Sequence, residues 1–390
     1  MNIKKNIWAL AAALLFATAF TNCSDWTEVE AEKKVDYGNT ETARPESYYQ
    51  ALREWKKTDH SISFGWFSDW GDPAVSTANM LAGLPDSMDM VSLWGAWSNL
   101  PEGKKADLKY VQEKKGTKVV FCSFTEYVGQ GFTPEEYNTD EETRNAFWGW
   151  VEVQKLDEEG NPVFDKQGNP VMVPEEGAMK ASLKKYAHAI LDTMYKYNYD
   201  GFDIDFEPNY GGAGPLSSYN DRMHILIEEL GKYIGPMSPN PEKLLLVDGE
   251  PQTLNAESGP YISYFVIQAY AGTSGNPANW TNSFSNLDSR LRLGINKFGE
   301  LLGEETVTNR YVMTENLEPA LEALQGGYRF YDRSNVLMDY PSLVGMARWQ
   351  PLNGFRKGGF GAYRFSNEGI NKPSYKWMRT GIQAQNPAVN

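Results

Sequence analysis

The stretch Asp200-Gly201-Phe202-Asp203-Ile204-Asp205-Phe206-Glu207 decides the fold of this chain. From Phe202 onward, apolar and acidic residues alternate, and a period of two marks a β-strand. Asp203, Asp205 and Glu207 then share one face, while Phe202, Ile204 and Phe206 share the other. Three carboxylates on one face repel one another, so stability alone does not explain them. Crowding raises the pKa of at least one, which makes it a proton donor near neutral pH. Asp200 falls out of phase with the three and is assigned a structural role at the start of the strand. A helical stretch precedes the strand, and Pro208-Asn209-Tyr210-Gly211-Gly212 follows it as a loop rather than a hairpin. That context fits a parallel strand between helices, buried on both faces, where carboxylates need a partner or a function. The other arrangement these residues allow is an edge strand with its charges in water.

Outward from this stretch, short apolar runs alternate with longer amphipathic ones. Strands are expected at 62–66, 90–94, 118–123, 201–207, 243–247, 264–270, 310–314 and 359–365. Helices are expected at 104–115, 178–195, 219–234, 285–302, 340–350 and 372–383. This alternation implies right-handed parallel crossovers. Eight such strands imply an α/β fold, a (β/α)8 TIM barrel, expected over 46–390. A long loop insertion after strand 3, about 125–177, breaks the pattern. It holds Trp148, Trp150 and an internal echo, Glu159-Gly160-Asn161-Pro162-Val163-Phe164 against Gln167-Gly168-Asn169-Pro170-Val171-Met172. Gly-Asn-Pro marks turns, so a small β excursion is expected there. Loops after barrel strands lie on the catalytic face. The insertion is therefore expected to wall the substrate cleft, unless it takes no part in the site.

The first 22 residues read as a targeting segment, with Lys4 and Lys5 before an apolar run over 7–20 that is too short to span a membrane. Cys23 directly after Thr21-Asn22 resembles a bacterial lipoprotein signal, with Cys23 lipidated as the first mature residue. Ser24 and Asp25 resemble the export signal of Bacteroidetes surface lipoproteins. The alternative is an ordinary secretory peptide with an incidental cysteine. Residues 23–45, polar and without periodicity, read as a tether. These readings give a protein lipid-anchored in the bacterial outer membrane and exposed at the cell surface, touching membrane only through Cys23. The formal charge is −14, and loss of Lys4 and Lys5 makes it more negative still. Such a protein is a poor partner for nucleic acid or anionic membrane.

Cys122, in Val119-Val120-Phe121-Cys122, reads as a buried, inert thiol, and no intrachain disulfide is expected. His60, His188 and His224 are far apart in sequence and lack metal spacing, so no metal is expected. The 12 Trp, 22 Tyr and 18 Phe suit stacking on sugar faces, although a large core uses aromatics too. A monomer is expected.

The pattern Asp-x-x-Asp-x-Asp-x-Glu, filled by Asp200, Asp203, Asp205 and Glu207, resembles the signature of glycoside hydrolase family 18. It falls on the fourth of eight strands, where that family carries it. The resemblance implies substrate-assisted retaining hydrolysis, an exception to the two-carboxylate scheme, with no cofactor. It implies that Glu207 is the general acid and later the base, that Asp205 orients the substrate's 2-acetamido group, and that Asp203 lies deeper and shares a proton or hydrogen bond with Asp205. Carboxyls this close titrate as a set. On the sixth strand, Val266, Gln268 and Tyr270 share a face. The resemblance assigns Tyr270 to the acetamido oxygen, with Gln268 contacting the sugar beside it.

Chitinases of the family usually carry Ser-x-Gly-Gly on the third strand, where this chain has Phe121-Cys122-Ser123-Phe124. They usually end the eighth strand in a Trp that floors the sugar site, where Tyr363 stands here. With Gln268-x-Tyr270, these departures resemble the endo-β-N-acetylglucosaminidase branch, in particular the Bacteroides endoglycosidases that trim N-glycans. The implied partners are N-linked glycans of glycoproteins, with Trp66, Trp70, Trp94, Trp97 and Tyr127 as candidate antenna readers on the loops after the first three strands. Two alternatives stay open: a chitinase or chitooligosaccharide hydrolase, and a non-catalytic glycan-binding barrel, which usually lacks the acid.

Overall fold

The structure, a computed structural model, describes residues 44–71, 79–272 and 274–387. Cys23, the leader and the tether up to residue 43 lie outside the described residues. Eight parallel strands close a barrel: β1 (Ile62–Phe67), β2 (Met90–Trp94), β3 (Lys118–Phe124), β4 (Gly201–Phe206), β5 (Leu244–Gly249), β6 (Tyr264–Gln268), β7 (Tyr311–Asn316) and β8 (Gly359–Tyr363). Each strand pairs with its sequence neighbours, and β1 closes on β8. This is the α/β TIM barrel expected from the sequence.

Alternation divides the residues into two cores. Phe202, Ile204 and Phe206 of β4 face outward with Val119 and Phe121 of β3 and Leu245 and Val247 of β5, packing beneath the helices. Phe64, Trp66, Met90, Val120, Cys122, Leu246, Val266 and Val312 face inward and fill the barrel. The inner face of β8 is glycine at Gly359 and Gly361. A Cβ on either would lie 2.2–2.3 Å from a β1 carbonyl oxygen, so the strands approach too closely for a side chain.

Three of the described α-helices start at a side-chain cap: Glu141–Trp148, Glu176–Tyr197 and Phe284–Leu302. Helix Glu176–Tyr197 begins where the Glu175 carboxylate accepts from the backbone N–H groups of Gly177 and Ala178, and it stops at left-handed Asn198. Two sequence expectations need correction. The helix expected at 340–350 is Ser342–Arg348, because Leu337–Pro341 forms a short strand that pairs antiparallel with Arg329–Tyr331. The helix expected at 372–383 starts at Lys376, where the Glu368 carboxylate accepts from the N–H groups of Trp377 and Met378.

The stretch after β3 holds helix Glu141–Trp148 and a hairpin of Glu152–Gln154 with Met172–Pro174. The internal echo becomes two successive turns. Oδ1 of Asp157 accepts from the backbone of Glu159 and Asn161, and Oδ1 of Asp165 accepts from Gln167 and Asn169. Among the described residues, no helix is long and apolar enough to cross a membrane.

Candidate active site

The C-terminal strand ends converge on a pocket of about 170 Å³. Its acidic floor is Asp205, Glu207 and Asp248; its walls are Trp66, Trp94, Phe124 and Tyr363, with Gln268 and Tyr270 reaching in from the end of β6. A second pocket of about 440 Å³ shares Glu207, Gln268, Tyr270 and Tyr363 with it and adds Tyr210, Glu250 and Arg290. Glu207 thus stands on the boundary between the two. A cavity of about 380 Å³ at the opposite, N-terminal mouth contains several basic residues. They are engaged locally: His60 meets Asp89, Lys118 meets Asp200, and Lys56 donates to Met88 O and Thr117 Oγ1. No reacting groups converge there.

Asp203 lies deepest and is fully buried. Its Oδ2 accepts from the Trp66 indole N–H at 3.0 Å and the Ser92 hydroxyl at 2.7 Å. Burial pushes its pKa up to about 6, against the pull of these donors. Asp205, one step nearer the mouth, is pushed well above the carboxylate range by burial, then by the charges of Glu207, Asp203 and Glu126. Glu207 is half-buried; burial raises it, and a hydrogen bond from Gln268 Nε2 to its Oε1 (2.5 Å) partly offsets that. Asp203 and Asp205 of β4, and Glu207 just beyond its end, therefore hold protons at a pH where free carboxylates have lost theirs.

Sequence reasoning missed a fourth carboxyl in this cluster. Asp248 is 1% exposed and lies in register beside Asp205 on the adjoining strand. Burial, then the charges of Asp205, Asp203 and Glu207, push its pKa well up. The signal was present: Asp248 continues the inward period of Leu244 and Leu246, but the strand was ended at Val247, one residue short. The ligating atoms of Cys122, Asp203 and Asp248 lie within 4.8 Å of one another. Burial pushes the Cys122 thiol well up, and its hydrogen is directed at Asp248 Oδ2 at 3.4 Å, so it serves as a donor to a carboxyl rather than as a thiolate.

Asp200 stands at the other end of β4, where Oδ2 accepts from Val119 N–H and Gln112 Nε2. Tyr270 stacks at 6.5 Å on Tyr363, whose ring also meets Trp94 and Trp66 edge-on.

The aromatic residues expected on substrate-reading loops divide. Trp94 keeps a place in the pocket. Trp66, on β1 itself, also lines that pocket, although it is 2% exposed and commits its N–H to Asp203. Trp70 is buried in the outer core and donates to Asp107 Oδ2. Trp97 packs on Phe121 and Phe132, and Tyr127 lies under the Arg144 guanidinium. Burying large rings outweighs exposing them wherever the core has room. Neither of the two pockets at the site is lined by a residue of 125–177. Glu126 reaches the site only through its charge.

The fold and this acidic floor define a family. A family model described as glycoside hydrolase family 18, BT1044-like, matches residues 27–384. The chain belongs to glycoside hydrolase family 18 and is a glycoside hydrolase. It is 23% identical over 369 residues to endo-β-N-acetylglucosaminidase F2 of Elizabethkingia meningoseptica, across 86% of this chain and 85% of that protein. It is 25% identical over 218 residues to endo-β-N-acetylglucosaminidase EndoS of Streptococcus pyogenes serotype M1, across 50% of this chain but only 21% of that larger protein. The chain thus spans about a fifth of the length of EndoS. A solved structure of BT1044, a selenomethionine form with one glutamate changed to glutamine, matches with a TM-score of 0.69 at 28% identity, over 90% of this chain and 96% of that one.

Proposed function

We propose that this hydrolase is an endo-β-N-acetylglucosaminidase that cuts the GlcNAc-β-1,4-GlcNAc core of N-glycans on glycoproteins. The observation that carries the reading is the position of Glu207, a carboxyl with a raised pKa on the boundary between two connected pockets, with Asp205 beneath it and Gln268 and Tyr270 beside it. The two curated relatives named above, both endo-β-N-acetylglucosaminidases, point the same way.

In this reading the GlcNAc whose bond is cut occupies the smaller pocket against Trp94 and Tyr363. Protonated Glu207 gives its proton to the glycosidic oxygen as the C1–O bond breaks. The carbonyl oxygen of the sugar's own acetamido group attacks C1, forming an oxazolinium ion. Asp205 passes its proton to the ionised Asp203 beneath it and becomes the counter-charge for that cation, taking the proton back when the acetamido group is restored, and the Tyr270 hydroxyl holds the acetamido oxygen in line. Glu207, now ionised, takes a proton from water, whose oxygen attacks C1 and restores the acetamido group with retention of configuration. Lipid anchoring at Cys23 on the cell surface is part of the same proposal and would place the site where host glycoproteins are met.

Mass spectrometry after incubation with defined glycoproteins tests the reading. The expected products are a free glycan ending in one GlcNAc and a protein that keeps one GlcNAc per site. Glu207→Gln should lower kcat by about 10²–10⁴-fold. Cleavage of chitooligosaccharides without release of any N-glycan would replace this reading with the chitinase one.

A further inference from the structure

We propose that Asp248 is a proton-carrying positioning residue of this site: as a neutral acid it donates to Asp203 and, through Gln268, holds Glu207 in place. The inference rests on the reading of Glu207 as the acid given above.

The surroundings of Asp248 consist of acids and neutral donors. From β4 it faces Asp203, Asp205 and Glu207, from β3 Cys122, and from β6 Gln268 and Tyr270. Among the described residues, no Lys, Arg or His pairs with it. An ionised Asp248 would add one more uncompensated charge to a dry cluster of like charges, which proteins avoid by keeping a proton.

The structure also has a place for that proton. Oδ2 of Asp203 is served by Trp66 and Ser92, while its Oδ1 is buried with no donor among the described residues. Asp248 lies within hydrogen-bonding reach of Asp203, and a bond between two carboxyls needs a proton on one of them; a protonated Asp248 supplies it. In return, Asp248 accepts from the Cys122 thiol at Oδ2 and from Gln268 Nε2 at Oδ1, each at 3.4 Å. The same Gln268 nitrogen donates to Glu207 Oε1 at 2.5 Å. One carboxamide therefore spans Asp248 and Glu207, so removing Asp248 frees the group that aims the catalytic acid.

The consequence for catalysis is electrostatic. With Asp248 neutral, the floor beneath Asp205 carries only the charge of Asp203. Asp205 is then free to ionise when the acetamido oxygen attacks, and the proton on Asp248 stays where it is throughout the cycle.

Asp248→Asn and Asp248→Ala separate the possibilities, assayed for kcat, KM and pH profile on an N-glycosylated protein and an aryl chitobioside. The Asn side chain keeps a donor for Asp203 and an acceptor for Gln268, so it should lose less than about tenfold in kcat. The Ala variant should lose about 10²-fold, the scale of a misplaced reacting group, with KM within a few-fold. Its acid limb should move to higher pH, because Asp203 has lost a donor. Equal losses in both variants would show that Asp248 acts as an anion and overturn the proposal. An Ala variant with the wild-type kcat and pH profile would reduce Asp248 to packing and overturn it as well. Infrared difference spectra decide independently of activity and of Ala-variant folding. The carbonyl band of a protonated carboxyl, present in wild type at pH 7, should be missing from Asp248→Asn, and its absence from the difference spectrum overturns the proposal. Full activity in Glu207→Gln would instead overturn the reading of the acid and leave the infrared result standing.

Discussion

The Trp66 indole N–H donates to Oδ2 of Asp203 at 3.0 Å, joining β1 to the bottom of the acidic stack on β4. Hydrogen bonds to charged groups are roughly twice as strong as neutral ones, and here both partners are shut away from water. Trp66→Phe keeps an aromatic ring in the barrel and removes this donor together with part of the buried ring volume, and the pH profile isolates the donor's share. The loss should be about 1.5–3 kcal/mol of preference for the ionised form of Asp203. The acid limb of the pH–rate profile should move upward, with kcat at pH 5 falling more than kcat at pH 8. An unchanged limb would mean that Asp203 does not control the rate.

Asp203 also couples the fold to pH. Its pKa in the folded chain is about 6, above the ordinary 3.8. Its neutral form is therefore the one the fold favours. That stabilisation is fully present below about pH 4 and is lost as pH rises through about 6. Asp203→Asn has nothing to ionise. The difference in Tm between the variant and wild type should accordingly shift in the variant's favour between pH 4 and pH 8, by about 2–4 °C. Scanning calorimetry at the two pH values checks this, and activity should fall even as the fold gains.

Gly249 follows Asp248 at φ +84°, a conformation that side chains rarely adopt, and a Cβ there would lie 2.5 Å from Phe206 O and 3.0 Å from Glu207 Cγ. Gly249→Ala should therefore strain the end of β5 and push Glu207 off its position. A loss of about 1–2 kcal/mol in stability is expected from the left-handed backbone, with a fall in kcat of about 10²-fold from displacement of the acid. Urea unfolding and steady-state kinetics measure the two effects separately. A kcat that tracks only the folded fraction would show that Glu207 has not moved.

Tyr270→Phe removes one hydroxyl from the pocket and leaves the stack on Tyr363 in place. If that hydroxyl holds the acetamido oxygen, kcat should fall about 10²–10³-fold. Hydrolysis of substrates in which the acetamido group is replaced by hydroxyl should be poor in both proteins and should show no further loss in the variant.

Much of this was legible in the chain, for a physical reason. Parallel strands buried on both faces are short and apolar, and the helices between them run at a different period, so the eight strands stand out in sequence. The acidic face of β4 is equally plain, because Asp203, Asp205 and Glu207 oppose the hydrophobic pattern that surrounds them. Asp248 escaped because it is a lone acid at a strand end, where boundaries are least certain. Its meaning comes from the register with Asp205, a contact between strands that no local pattern encodes. Trp70 and Trp97 misled for the same reason: a large ring beside a strand suits sugar or core equally, and only the packing decides. The helix expected from residue 340 failed at its start, because Leu337–Pro341 pairs with a strand that the local pattern did not reveal.

The paired turns beyond β3 carry a consequence of their own. Each is closed by the carboxylate of a single aspartate, Asp157 or Asp165, acting on backbone within the next four residues. Each isolated bridge, Leu156 with Pro162 and Phe164 with Pro170, likewise stays inside its own turn. The two turns are also tied together at their bases, where Lys155 N–H donates to Val171 O and Val171 N–H to Val163 O, so the pair forms one unit that could be replaced by an epitope tag while the hydrolytic centre keeps its geometry. That makes it a natural attachment point for labelling or immobilising the enzyme.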